Sequence, residues 1–314
     1  MSEELPPSVA VIGSLNIDYF TRVEYLPAPG ETVPSDCLEL FRGGKGANQA
    51  IAVARQSCHP RFFGAVGADD EGVTYRKALK DEGIDVTGIL TVPTKTGAAF
   101  ITVDETGENT IVTASGANDS LSAAHLLESA PELEACQALL GQFEVPMPAL
   151  VEAIRIANRS EIPVIINPSP YIPTFPWREV EVNYAIVNEL EAVDLLEFSP
   201  FDEPESTVRQ RLHELRINHL IVTRGSEDTS VFLHVGDSFE VPTLPVLPVD
   251  TVGAGDSFAG CFTARIASGE SLDSAVRAAN CAGALTTLGK GAQEPIPDRD
   301  RVNQHVEHLV NHGK

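Results

Sequence analysis

Hydrophobic positions along the chain follow two kinds of pattern. Short runs that are apolar at every position, Val9–Ile12, Phe62–Val66, Ala138–Leu140, Val164–Ile166, Ala185–Val187 and Leu220–Val222, predict strands covered on both faces. Between them, apolar residues recur at helical spacing over Ala47–Cys58, Val73–Glu82, Pro148–Asn158, Gly255–Ala267 and Leu272–Leu288. Strand and helix alternating in this order predict an α/β fold, a central and mostly parallel sheet with helices on both faces.

Two segments break that rhythm. Asn16–Val23 and Thr96–Thr113 alternate polar and apolar residues, and the second turns back across Asp104–Glu108, a hairpin signature. Alternation gives each strand one dry and one wet face, which excludes both from a parallel core. They predict a small separate sheet, either a lid over a site or a dimer surface. The expected division is a core of residues 1–15, 45–95 and 115–314 and a β lid of residues 16–44 and 96–114. The chain has no internal repeat and no low-complexity tract.

Charge narrows the function classes. Acidic residues number 45 and basic residues 22, for a formal net charge of −23. Such a chain repels nucleic-acid backbones and anionic membranes, so neither is an expected partner. The acidic start, residues 1–8, lacks the basic region of a signal peptide, and no apolar run reaches the roughly 18 residues of a spanning helix. A cytoplasmic protein is expected. Cys37, Cys58, Cys136, Cys261 and Cys281 lie at least 20 residues apart, a spacing that suits neither a disulfide framework nor a zinc knuckle and predicts small buried hydrophobes. His305, His308 and His312 share one face of a terminal helix, without the carboxylate or cysteine companions of a metal site, and are read as an exposed stripe.

The same charge would repel a small phosphorylated ligand unless a local device overcame it. One is written between Asp250 and Asp256, where Gly253, Ala254 and Gly255 lead into a helix whose first turn carries a carboxylate. Glycines let backbone approach a ligand, and the free N–H groups of a first helical turn, aided by the helix dipole, attract anions. An anion hole beside a carboxylate suits phosphoryl transfer to an alcohol, the carboxylate taking the hydroxyl proton. The simpler reading is a turn followed by a helix-start acid.

The stretch Asp250–Asp256 resembles the signature of the ribokinase (phosphofructokinase-B type) family of sugar and nucleoside kinases. Gly43–Gln49, preceded by Pro29–Thr32, is similar to the family's N-terminal signature, and Gly13–Asp18 to its sugar-binding first strand. The similarity runs from about Val9 to Pro297. It implies the ribokinase-like fold and ATP-dependent phosphorylation of D-ribose at O5, or of another pentose, deoxyribose or a ribonucleoside. Asp256 would be the base, the amides of Gly253, Ala254, Gly255 and Asp256 the anion hole, and Asn16, Asp18, Gly44, Lys45, Asn48 and Glu144 the sugar site. Lys45 reads equally as a solvated charge after a turn.

Further along, Asn188 and Glu191 match an element that the family uses at its Mg2+ and phosphate site, and also form a capping-box pattern. Thr223 and Gly225 resemble the nucleotide loop, in which Asp228 replaces a common Gly, and Arg224 supplies either local positive charge or a solvated surface cation. Asn280 falls where the family lines its adenine site; without the resemblance it reads as a polar residue on an exposed helix face. Asp250, Val252, Thr286, Gly289 and Gly291 fall where the family holds a monovalent cation, K+, with Pro295 in place of a usual hydroxyl ligand. The small sheet implies a homodimer, and Phe100 and Ile101 could cover a nucleobase or form the dimer seam. A non-catalytic sugar sensor is disfavoured because a sensor needs no base. A dinucleotide-binding Rossmann protein is disfavoured because Gly13–Asn16 lacks the G-x-G-x-x-G turn.

Overall fold

Each of the six fully apolar runs is a strand of one sheet. The computed structural model describes residues 5–312. In chain order the elements are β1 (Ser8–Ile12), β2 (Asn16–Arg22), β3 (Cys37–Gly43), α1 (Lys45–Arg55), β4 (His59–Gly67), α2 (Asp70–Asp81), β5 (Ile89–Val92), β6 (Gly97–Val103) and β7 (Asn109–Ala114). Then follow α3 (Ala123–Glu128), α4 (Ala130–Glu134), β8 (Ala138–Gln142), α5 (Met147–Arg159), β9 (Val164–Asn167), β10 (Val182–Asn188), α6 (Glu189–Leu196) and α7 (Glu205–Leu215). The remainder is β11 (Ile217–Arg224), β12 (Glu227–Leu233), β13 (Phe239–Val241), α8 (Ala254–Ala267), α9 (Leu272–Thr286) and α10 (Arg299–His312).

The large sheet has nine strands in the order β13-β12-β11-β10-β9-β8-β1-β4-β5, with parallel pairing throughout except around β12. Successive residues feed opposite faces: Ala10 and Ile12 pack into one hydrophobic cluster with α5, while Val9 and Val11 pack into another with α1 and α8. Full apolarity of these runs is thus the signature of a sheet buried on both sides. The chain leaves β1 toward β4 on one side and toward β8 on the other. This is a topological switch point, where α/β sheets open a crevice at the carboxyl ends of their strands.

Helix starts also follow local chemistry. The Asp69 side chain accepts from the Gly72 N–H and starts α2 three residues before the apolar spacing begins, because the first turn is polar. Packing of α1 on α8 is unusually close. A Cβ on Gly260 would lie 2.4 Å from the Ala52 Cβ and 2.5 Å from the Gln49 carbonyl oxygen, so only glycine lets the two helices meet there.

The small sheet has the order β3-β2-β6-β7. Strand β3, which the alternation did not mark, pairs antiparallel with β2 and aligns Gly43 with Asn16 and Phe41 with Asp18. The period of two separates Phe100 from Ile101: Phe100 pairs with Tyr19 and Val112 on the face opposite Asp18, whereas Ile101 lies on the Asp18 side. Phe100 therefore does not cover a base bound on the Asp18 side. Ala99 is buried; the exposed apolar residues are Leu38, Leu40, Phe100, Ile111 and Val112.

Four cysteines are buried as expected, and Cys37 on β3 is half-buried. His305 Nδ1 donates to the Arg301 carbonyl, and the side chains of His308 and His312 lie outside the described residues. Among the described residues no helix is long and apolar enough to cross a membrane, and no group of three or more His, Cys, Asp or Glu side chains is arranged for a metal.

Gly260→Ala should force α1 and α8 apart and cost about 1–3 kcal/mol, read as a lowered urea midpoint with an unchanged slope.

Candidate active site

The site forms where α8 begins. Gly253 caps the helix with φ +78°, a left-handed conformation, and a Cβ there would lie 2.6 Å from the Ala292 carbonyl oxygen. A Cβ on Gly255 would meet no protein atom, so its missing side chain leaves space over the first helical turn. Asp256, in that turn, is 7% exposed. Its Oδ2 accepts from Asn48 Nδ2 and its Oδ1 from Gln49 Nε2, both at 2.9 Å. The sequence pointed to Asn48; Gln49, equally close to the carboxylate, had no signal beyond lying in the same motif.

More amides stand behind these two. Gln293 Nε2 donates to Asn48 Oδ1 and to Tyr75 Oη at 2.8 Å, and the Tyr75 hydroxyl donates to the Gly43 carbonyl at 2.6 Å. Gln49 Nε2 also donates to Asn167 Oδ1 at 3.0 Å, and Gln142 Nε2 donates to Gln49 Oε1 at 2.6 Å.

Further ionisable groups lie around Asp256: Asp18, Glu144, Glu191 and Lys45. Burial first, then repulsion from Glu144 and Asp256, raises the Asp18 carboxyl from 3.8 to about 7. Glu144 Oε2 accepts from the Ser14 hydroxyl and, at 3.0 Å, from the Lys45 N–H at the start of α1. Burial works to lower the Lys45 ammonium, but Asp256, Glu144 and Glu191 outweigh it and hold the group above its ordinary range. Lys45 is therefore a cation held among carboxylates, not a solvated charge. Gly44 is the N-cap of α1, and Asn16 Oδ1 accepts from Asn118 Nδ2 at 2.8 Å.

A cleft of about 500 Å³, open to solvent, runs from Asp256 to the ends of β9, β10 and β11, with Lys45, Asn167, Asn188, Glu191, Thr223, Gly253 and Gly255 in its wall. Asn188 and Glu191 form a complete capping box: the Asn188 side chain accepts from the Glu191 N–H, and the Glu191 Oε2 from the Asn188 N–H. The Thr223 hydroxyl donates to the Val187 carbonyl at 3.3 Å, and Gly225, at φ +60°, makes the turn into β12.

A profile of pfkB family carbohydrate kinases matches residues 6–299 of this chain. The chain belongs to that family. A ribokinase of Haemophilus influenzae is 35% identical over 304 residues, covering 96% of this chain and 99% of the relative. A deoxyribokinase of Salmonella typhi is 31% identical, covering 95% and 98%. The structure of Arabidopsis thaliana ribokinase complexed with ribose and ATP superposes with a TM-score of 0.88 at 27% identity, covering 96% of this chain and 99% of that one. As a pfkB family member, the chain is an ATP-dependent carbohydrate kinase with the ribokinase-like fold.

Within this pfkB fold, two family-derived residues differ from their simpler readings. Asn280 is buried, not exposed: its Oδ1 accepts from Thr229 Oγ1 at 2.6 Å and its Nδ2 donates to the Val241 and Pro242 carbonyls, which ties α9 to the end of β13. It lies outside the cleft wall described above. Arg224 faces Glu189, Glu227 and Glu240 and stacks over Phe201, so its charge is already balanced and is not free for a phosphate.

The loops expected to hold a monovalent cation are joined by Asp250. Its Oδ1 accepts from the Val252 N–H and its Oδ2 from the Gly291 N–H, both at 3.0 Å. The Thr286 hydroxyl donates to the Ala282 carbonyl at 2.8 Å. Pro295 packs where a Gly289 side chain would stand, its Cβ 2.6 Å from that position.

The raised Asp18 carboxyl has a thermodynamic sign. Between about pH 4 and 7 the unfolded chain loses this proton first, so the folded form binds more protons and stability declines as pH rises. Asp18→Asn should be more stable than the parent at pH 8, with the difference fading toward pH 4, read from melting temperatures across that range.

Proposed function

We propose that this pfkB kinase transfers the γ-phosphoryl group of ATP to the O5 hydroxyl of D-ribose, giving D-ribose 5-phosphate and ADP. The observation that carries the reading is Asp256, a buried carboxylate with both oxygens held by amide donors at a helix N-terminus, beside space that Gly255 leaves open. The ribose and ATP named for the Arabidopsis structure support the substrate pair.

In this reading Asp256 takes the O5 proton, the O5 oxygen bonds to the γ-phosphorus as its bond to the β–γ bridging oxygen breaks, and ADP departs. The N–H groups of Gly253, Gly255 and Asp256 receive the charge on the transferred group, whereas the Ala254 N–H, also expected there, donates to the Thr251 carbonyl at 3.3 Å. Asn16, Asp18, Gly44, Lys45, Asn48 and Glu144 bind the sugar; a mixed amide and carboxylate set matches the donors and acceptors of a polyol. Asn188, Glu191, Thr223 and Gly225 attend the nucleotide phosphates, and Asn280 shapes the adenine side through its bonds to Val241 and Pro242.

Glu191 keeps its Oε1 free of the capping box and lines the cleft, a donor that fits Mg2+ held through water. Bound there, the ion would neutralise the β- and γ-phosphate oxygens. Asp250, with the carbonyls of Val252, Thr286, Gly289 and Gly291, is an all-oxygen set that fits K+; Pro295 removes one side-chain ligand. The exposed row of Leu40, Phe100 and Val112 supports a homodimer through the small sheet, which would also close over the sugar as a lid. We place the protein in the cytoplasm.

The deoxyribokinase relative favours a second reading, with deoxyribose as the preferred sugar. Comparing kcat/KM for ribose, deoxyribose and adenosine in a coupled ADP-release assay decides between them. Asp256→Asn should lower kcat by about 10²–10⁴-fold while ribose binding, followed by calorimetry, largely survives; near-parental turnover removes Asp256 as the base. Activity should vanish with EDTA, return with Mg2+ and fall when sodium replaces potassium.

A further inference from the structure

Amide side chains have a direction, and at this site the direction is fixed from outside. A backbone carbonyl can only accept a hydrogen bond, so the Gly43 carbonyl claims the single proton of the Tyr75 hydroxyl. Burial holds that proton far above the ordinary tyrosine range, so it stays in place. The Tyr75 oxygen is left as an acceptor and turns the Gln293 NH2 toward itself. The same NH2 meets the Asn48 oxygen, which leaves the Asn48 NH2 for Asp256.

The other oxygen of Asp256 has a matching chain. The Ile186 carbonyl accepts from Asn167 Nδ2 at 2.9 Å, so the Asn167 oxygen faces Gln49 and the Gln49 NH2 faces both Asn167 and Asp256. Two backbone carbonyls, on strands β3 and β10, thus dictate which end of each amide reaches the carboxylate.

We propose that Tyr75, Gln293 and Asn167 are positioning residues for phosphoryl transfer, setting the polarity of Asn48 and Gln49 so that both present N–H groups to Asp256. Without that bias an amide can rotate half a turn at little steric cost and present oxygen to oxygen. Asp256 sits among Asp18 on β2, Glu144 after β8 and Glu191 on α6, with Lys45 on α1 as the near cation, and the N–H groups of Asn48 and Gln49 are the side-chain donors on its two oxygens. Gln293 is itself fixed through its backbone: Arg55 Nη1 donates to the Gln293 carbonyl at 2.6 Å and to the Ile296 carbonyl at 2.9 Å.

The inference rests on Asp256 being the base, and its test separates deletion from reversal. Gln293→Met removes the donor; Gln293→Glu offers acceptor oxygens that draw the Asn48 NH2 away and turn the Asn48 oxygen onto Asp256. The expected order of kcat is parent, then Gln293→Met, then Gln293→Glu, the last lower than the parent by about 10²-fold, with the acidic limb of the kcat/KM profile displaced to higher pH. Tyr75→Phe, the milder change, should fall between parent and Gln293→Glu. A role in packing alone predicts equal losses in the two Gln293 variants and an unmoved limb, and that result overturns the proposal. Carboxyl-13C NMR of the ligand-free protein, with the Asp256 signal identified from Asp256→Asn, gives a readout that needs no substrate. Its titration should move to higher pH in Gln293→Glu and in Tyr75→Phe, and an unmoved signal also overturns the proposal. Parent turnover on ribose, measured alongside, tests the proposed function by itself.

Discussion

A carboxylate withdrawn from water in the company of other carboxylates is unstable unless donors replace the lost solvent, and the architecture around Asp256 answers that requirement. Burial of an unpaired charge costs several kcal/mol even after relaxation. Here the compensation has three sources: the N-terminal dipole of α8, the Lys45 ammonium, and the two side-chain amides of α1. The last two need α1 against α8 at a distance that only Gly260 permits.

The sheet order explains why so many polar groups converge without breaking the core. Ser14 and Asn16 follow β1, Gln142 ends β8 with Glu144 two residues beyond, Asn167 ends β9, Asn188 ends β10 and Thr223 lies near the end of β11, all at carboxyl ends of parallel strands. The crevice is polar because these parallel strands exit there, and the apolar residues lie one or two positions earlier. Overall acidity is compatible with an anionic ligand at such a place. Amides and Lys45 act within a few Å, whereas surface acids are screened over about 8 Å at physiological salt. The charge of −23 is therefore a property of the surface more than a description of the cleft.

Much of this was legible in the sequence where a residue type has few uses. Runs apolar at every position marked buried strands, alternation marked β2, β6 and β7, and the two glycine-rich signatures marked both halves of the site. Strand β3 was harder to see because Leu38, Glu39, Leu40 and Phe41 do not alternate cleanly, and β12 because Asp228 and Thr229 follow a turn without a strong apolar run. The amide chain was invisible for a different reason. Gln49, Gln142, Asn167 and Gln293 are individually ordinary polar residues, and their meaning comes from which donor faces which acceptor in three dimensions. Asn280 shows the same limit, since helical spacing alone does not reveal the carbonyls of Val241 and Pro242 that claim its amide.

The polar chain also has a timescale. Asn48 is 208 residues from Asp256 in sequence and 245 from Gln293, whereas the strands of the large sheet are complete at Val241. During vectorial synthesis the sheet can therefore close before α8 or the Gln293 loop has left the ribosome, and α1 must wait with the Asn48 side chain unpartnered. Contacts of such separation form late and slowly. A nascent chain of this protein would complete its strands well before its chemistry, and the last strongly nonlocal step of assembly is the one that orients the base.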